Sequence, residues 1–188
     1  MAEYIKLPIV AFETARLILR PIELADAPRI QLLIANPNVL KYLSDVVPWP
    51  YPAGGAREYL EQTMPKIEAM EVYIWAIMLK SQREVGLIGV ISLSPGSDDD
   101  SRGFWLGEPY WGHGYMGEAA EAVTDFAFGP LGMKELLLGN ATGNVASRRL
   151  KESAGAQLIG IEERGFVSGR FPCERWRLTP AAWRARRK

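Results

Sequence analysis

The 188-residue sequence holds a single cysteine, Cys173, and a single histidine, His113. One thiol cannot close an internal disulfide, and one cysteine with one histidine excludes the usual Cys/His zinc sets. An excess of one charge is missing too: Lys+Arg and Asp+Glu number 22 each, so no global field draws the chain to nucleic acid or an acidic membrane. No run approaches the ~20 apolar residues of a membrane span, and Glu3, Lys6 and Glu13 interrupt what would be an export signal. Internal repeats and a linker are absent. A cytoplasmic, metal-free single domain over 1–188 is therefore expected, with 1–13 an N-terminal arm and 184–188 a basic tail. That length suffices to bury roughly two thirds of the unfolded chain's surface.

What is present is an alternation of strand and helix signals. Arg16–Pro21 alternates charged and apolar residues as a strand does, and Ile30, Leu33 and Ile34 recur at helical spacing before Asn36-Pro37. Val46–Pro52 interleaves three prolines with Trp49 and Tyr51 and predicts a stiff loop, either packed on the core or walling a cleft. A helix follows from Arg57 to Met70, kinked or divided at Pro65. Val72–Leu79 reads as a strand covered on both faces, and Glu84–Leu93 as its hairpin partner, where Gly86 and Gly89 point to a bulge or a close backbone approach. The triplet Asp98–Asp100 suggests a solvated loop rather than a metal site, because three consecutive side chains diverge. Strands at Glu135–Leu138, Gln157–Phe166 and Cys173–Leu178, and a helix over Val145–Ser153 capped by Asn144, complete an α/β pattern on a mixed sheet.

Gly103–Ala120 carries the clearest chemical signal. A short strand breaks at Gly107-Glu108-Pro109 and passes through Trp111-Gly112-His113-Gly114 into a helix reaching about Phe128. Strand, glycine turn and helix N-terminus converge unpaired N–H groups with the positive end of a helix dipole, which suits a phosphate. A dinucleotide-binding reading fits less well. Its glycine turn follows a first strand in a βαβ series, whereas this one follows a three-strand meander.

Tyr110–Ala119, with Arg16–Pro21 upstream and Asn144–Leu150 downstream, resembles the GNAT superfamily of acetyl-CoA-dependent N-acetyltransferases. Within it, Pro48-Trp49-Pro50-Tyr51 and Trp176-Arg177-Leu178-Thr179 with Trp183 are similar to the branch of ribosomal-protein N-terminal alanine or serine acetyltransferases. The resemblance spans about 14–183. It implies a mixed, mostly antiparallel central sheet splayed at its middle and flanked by helices. It also implies acetyl-CoA as co-substrate, held by Trp111, Gly112, His113, Gly114, Tyr115, Met116 and Gly117 through the main chain at the pyrophosphate. Phe104, Trp105 and Leu106 would pair with the pantetheine arm, Asn144 would lie beside it, and Ser147 would face the thioester sulfur.

The tyrosine that many relatives place near the leaving thiolate falls here on Lys151, so the resemblance suggests Ser147 as the catalytic residue in its stead, donating either a proton or simply a hydrogen bond to the developing thiolate. The glutamate base of the branch falls on Ser101, leaving the base unassigned. Acetyl transfer needs a neutral amine. An α-amine is roughly a tenth neutral at pH 7 and a lysine amine below about one part in a thousand, so an α-amine needs little help. The sequence thus predicts transfer of an acetyl group from acetyl-CoA to a primary amine, a protein N-terminus or a small molecule, by direct attack on the thioester. The alternative is a catalytically silent acyl-CoA-binding or regulatory module of the same fold. No nucleic-acid or membrane partner is expected; homodimers are common among relatives, and the residues are silent on this point.

Overall fold

The computed structural model describes residues 4–186. Strands β1 (Phe12–Glu13) and β2 (Leu17–Pro21) lead into helices α1 (Ala27–Ile34), α2 (Pro37–Leu40) and α3 (Gly55–Glu68). Strands β3 (Tyr73–Leu79), β4 (Leu87–Leu93) and β5 (Arg102–Leu106) follow, then α4 (Tyr115–Phe128), β6 (Leu136–Ala141) and α5 (Val145–Ser153). The hairpin β7 (Gln157–Phe166) and β8 (Gly169–Leu178) and helix α6 (Pro180–Ala185) close the chain.

The strands form two sheets, ordered β1-β2-β3-β4-β5 and β6-β8-β7. Each ladder within them is antiparallel. The sheets meet at β5 and β6, where pairing stops almost as soon as it starts: Ser101 N–H donates to Leu137 O (2.7 Å) and Leu137 N–H donates to Ser101 Oγ (3.0 Å). Beyond that stitch the strands part, and the expected splay is present. Ser101, at the position of the missing glutamate, is buried and spent on joining the sheets.

β3 explains why the larger sheet is covered twice. Tyr73, Trp75, Ile77 and Leu79 face a core that includes Val123 and Phe126 of α4, while Ile74 and Ala76 face Ile30, Ile34 and Leu60 of α1 and α3. An uninterrupted apolar run results because both faces of the strand are dry. In β4 the alternation slips at Gly89, beside a shift in register between Ile77 and Met78. A Cβ on Gly89 would stand 2.4 Å from Trp105 O, so the residue serves both as bulge and as close approach.

Several expectations are corrected. Residues 4–13 do not form a free arm: Phe12–Glu13 pair with β2, Tyr4, Leu7 and Ile9 lie on the core, and Trp75 Nε1 donates to Val10 O (2.7 Å). Helix α3 runs unbroken through Pro65. The last hairpin turns at Val167-Ser168 rather than over Val167–Pro172, since β8 starts at Gly169. Of the basic tail, Arg186 stacks on Trp183 (3.6 Å) and pairs with Glu121 (2.7 Å), while residues 187 and 188 lie outside the described residues. The acidic triplet keeps the solvated loop expected of it, with Asp98 and Asp99 exposed, and is also tied to the second sheet, Asp99 to Arg164 and Arg175, and Asp100 to Arg164 (3.3 Å).

Candidate active site

The glycine turn has the geometry its composition suggests. Gly112 and Gly114 have φ of 78° and 76°, a left-handed region that penalises a Cβ and favours glycine. Gly114 caps α4 without a side chain, so no side-chain oxygen occupies the first N–H groups of that helix. The one carboxylate in the first turn, Glu118, is drawn aside by Thr14, by Arg16 N–H (2.7 Å) and by Arg16 Nε (2.7 Å). These partners hold its pKa below the usual range against the opposing effect of burial. Arg16 also donates to His113 O (2.8 Å) and lies over the Tyr115 ring, which stacks on His113. A guanidinium thus stands beside the turn.

The turn is held from the other side as well. Glu108 accepts from Asn36 Nδ2 (2.6 Å) and Asn38 Nδ2 (2.7 Å) at α2, and Arg29 of α1 donates to Tyr110 Oη (2.8 Å). Trp111 Nε1 donates to Leu106 O (2.8 Å), linking the turn to the strand that precedes it.

That strand has one edge free. Gly107 N–H donates to Ile88 O on β4; by alternation the amide groups of Phe104 and Leu106 point into the split. Across the split stands the N-terminus of α5. Asn144 is its cap, accepting from Ser147 N–H (3.1 Å), as its position predicts. Ser147 is buried one turn in, and Gly117 of α4 faces Leu150 of the same helix as Ser147. The structure therefore brings Phe104–Leu106, Trp111, Gly112, Gly114–Gly117, Asn144 and Ser147 around one cleft of about 1080 Å³; His113, predicted with them, does not line it and stacks on Tyr115.

Sequence reasoning missed what stands behind Ser147. Lys151 Nζ donates to Ser147 Oγ (2.7 Å), and its side chain is 2% exposed. Burial, and next the Arg102 guanidinium, push its pKa down to about 7. Arg102 is buried as well, donating to Thr124 Oγ1 (2.6 Å), and burial lowers its pKa to about 10. Asp100, beside Gly139 of β6, is pushed up by burial and keeps Oδ1 without a partner. The signal for Lys151 was available: positions four apart share a helix face, so an inward Ser147 carries Lys151 inward with it.

A second cavity, of about 470 Å³, lies against the same strand beneath α1 and α3. Ile22, Ile34, Val90 and Tyr51 are among its walls, and it meets the first at Leu43, Ser44 and Gly103–Trp105. Among nearby aromatics, Tyr51 lines this cavity and Tyr42 the larger cleft. Tyr73 is core, its hydroxyl donating to Leu7 O (3.0 Å), and Trp49 is exposed. The proline-rich loop therefore both packs and walls.

Antiparallel sheets splayed beside a glycine turn and an uncapped helix N-terminus define the GNAT fold. The acetyltransferase (GNAT) domain family matches residues 16–157, and the chain belongs to that family, an acetyl-CoA-dependent acetyltransferase. The uncharacterized N-acetyltransferase p20 of Bacillus licheniformis is 26% identical over 151 residues, 79% of this chain and 83% of its own. The ribosomal-protein-S5-alanine acetyltransferase of Vibrio fischeri shares the fold at a TM-score of 0.77 and 17% identity, covering 93% of this chain and 99% of that one. RimL, a ribosomal L7/L12 alpha-N-protein acetyltransferase in complex with coenzyme A, gives a TM-score of 0.76 at 16% identity, covering 92% and 99%. Among the described residues no helix is long and apolar enough to cross a membrane.

Proposed function

We propose that the larger cleft takes acetyl-CoA and the smaller cavity a primary amine, and that the acetyl group passes between them by direct attack on the thioester at Gly103–Trp105. The observation that carries this reading is the meeting of the two cavities at the free edge of β5. The N–H groups from Gly112 to Gly117 receive the pyrophosphate, where the helix dipole and Arg16 favour negative charge. The free amides of Phe104 and Leu106 pair with the pantetheine arm, with Asn144 beside it. An N–H at this strand end polarises the thioester carbonyl, because a donor fixed before the reaction costs no reorganisation when the oxyanion forms.

Amine attack forms the C–N bond and a tetrahedral oxyanion. Its collapse breaks the C–S bond, the amine nitrogen gives up a proton, and Ser147 Oγ–H donates to the departing thiolate. The cavity walls are mostly apolar, which favours an acceptor whose amine is carried on an apolar body and helps hold that amine neutral. Calorimetric titration with acetyl-CoA tests the donor site, and thiol release tests transfer to α-amines of peptides, free amino acids, polyamines and aryl-substituted alkylamines. Binding together with thiol release that depends on an amine is expected. No acetyl-CoA binding sinks the donor assignment, and binding without transfer to any class sinks the enzyme reading of the cavity.

A further inference from the structure

Lys151 has no task in the scheme above, yet it is one of the costliest residues in the protein. An ammonium in so dry a place calls for compensation, and among the described residues no carboxylate accepts from it: its hydrogen bonds run to Ser147 Oγ (2.7 Å) and Ser147 O (3.5 Å). The charged groups facing it are Arg102 on β5, Asp100 just before that strand, and Glu174 beside the Cys173 thiol on β8. Glu174 is engaged by Asn140 Nδ2 (2.9 Å) and Arg148, and Asp100 by Arg164. Phe104 closes the remaining side with its ring 6.0 Å from Nζ. A lysine kept here solely for stability is a poor choice; a methionine fills the same space without charge.

The direction of the hydrogen bond supplies the reason. A lysine ammonium is only a donor, so the contact uses a lone pair of Ser147 Oγ and leaves the hydroxyl proton free to point elsewhere. Among the described residues no group accepts that proton. Ser147 lines the cleft, and its own backbone N–H is fixed by Asn144. The hydroxyl therefore has a donor behind it and the cleft in front.

We propose that Lys151 is the positioning residue of a two-membered proton relay, in which its ammonium holds and recharges Ser147 as Ser147 protonates the coenzyme A thiolate. The inference rests on the donor-site reading given under Proposed function. As the C–S bond breaks, its electron pair goes to sulfur. The Ser147 hydroxyl proton moves to the thiolate, a proton moves from Lys151 Nζ to Ser147 Oγ, and Lys151 is left neutral. It regains a proton from solvent, balancing the one the amine nitrogen released. Arg102, buried alongside, adds a second positive charge beneath the sulfur and makes Lys151 readier to part with its proton. A group titrating near pH 7 matches this duty, since the proton must leave and return in each turnover.

The test is the ratio of kcat in wild type to kcat in Lys151→Met, measured from pH 6 to pH 10 by thiol release with one acceptor throughout. Ionisation of the acceptor cancels in that ratio. The working form of Lys151 is the ammonium, so the ratio is expected to be about a hundredfold at pH 6 and to fall toward unity as the pH rises past the lysine's titration. Lys151→Arg, whose charge persists over the range, should retain part of the activity and flatten the decline. In a Ser147→Ala background, itself about a hundredfold slow, Lys151→Met should cost no more than about twofold. Calorimetry with acetyl-CoA should read similar affinities for all variants; loss of binding in wild type indicts the donor-site reading instead. If no amine serves, the slow hydrolysis of acetyl-CoA by the enzyme releases the same thiolate and gives the same ratio, and should Lys151→Met fail to fold, Lys151→Gln replaces it. A ratio independent of pH overturns the relay. So does a full Lys151→Met effect without Ser147, or a stoichiometric burst of thiol without acceptor, which would make Ser147 an acylated nucleophile.

Discussion

The two sides of β5 are built by different means. Toward α4 and α5 the surface is main chain and buried polar groups: glycines at positive φ, an uncapped helix end, Ser147, Arg102 and Lys151. Toward α1 and α3 it is side chains, mostly apolar, drawn from β4, α1, α3 and the proline-rich loop. Backbone donors suit a ligand part that never varies, such as a pyrophosphate, and tolerate Trp111 and Met116 as neighbours. A wall of side chains can be reshaped one residue at a time. On the proposed reading, donor recognition is thereby fixed by conformation and acceptor recognition by shape.

Three substitutions would break or sharpen that contrast. The largest effect is expected from the stability of Lys151→Met, which is predicted to raise stability by about 1–4 kcal/mol near pH 6. The sign follows from titration: below about pH 7 the lysine is charged in both the folded and unfolded states and its burial is fully felt. Between that point and its unfolded value the unfolded chain binds more protons, wild type gains stability, and the advantage of the variant shrinks. Urea melts at pH 6 and pH 9 check this; an equal gain at both values contradicts it. Next in size, Gly114→Val should weaken acetyl-CoA binding about tenfold, because a β-branched residue at φ of 76° distorts the turn at a cost of about 1–3 kcal/mol. Its acceptor KM should change little. Smallest, Ser92→Phe places a ring on the floor of the acceptor cavity and should raise the acceptor KM by about fivefold, leaving the acetyl-CoA Kd within about twofold. Calorimetry and steady-state kinetics on the same samples read both numbers. An equal response of donor and acceptor constants to either change would erase the distinction between the two sides.

The same contrast explains what could be read from the residues alone. Gly112 and Gly114 announce a conformation, and β3 announces a doubly covered strand, because backbone demands leave local marks. The N-cap at Asn144 is likewise local and stands where it was expected. Arg102 of β5 meets Ser147 and Lys151 of α5 only after folding, and the one local trace of that group is the spacing of four on α5. Phe12–Glu13 failed to register because a two-residue strand has no periodicity, and its partner supplies the order. The smaller cavity is gathered from separate segments, so nothing contiguous encodes it.

The stitch at Ser101 and Leu137 has a consequence for how the molecule comes apart. Backbone pairing between the sheets ends there, so β6–β8 and α5 have few shared amides to protect them when the first sheet stays closed. Sub-global opening of that half would carry off Ser147 and Lys151 while the glycine turn, anchored through Glu108 to α2 and through Arg16 to β2, remained folded. On warming, the protein would then stop turning over before it let go of its coenzyme, and hydrogen exchange would show Leu138 and Ala141 exposed earlier than Ile77 and Ile91.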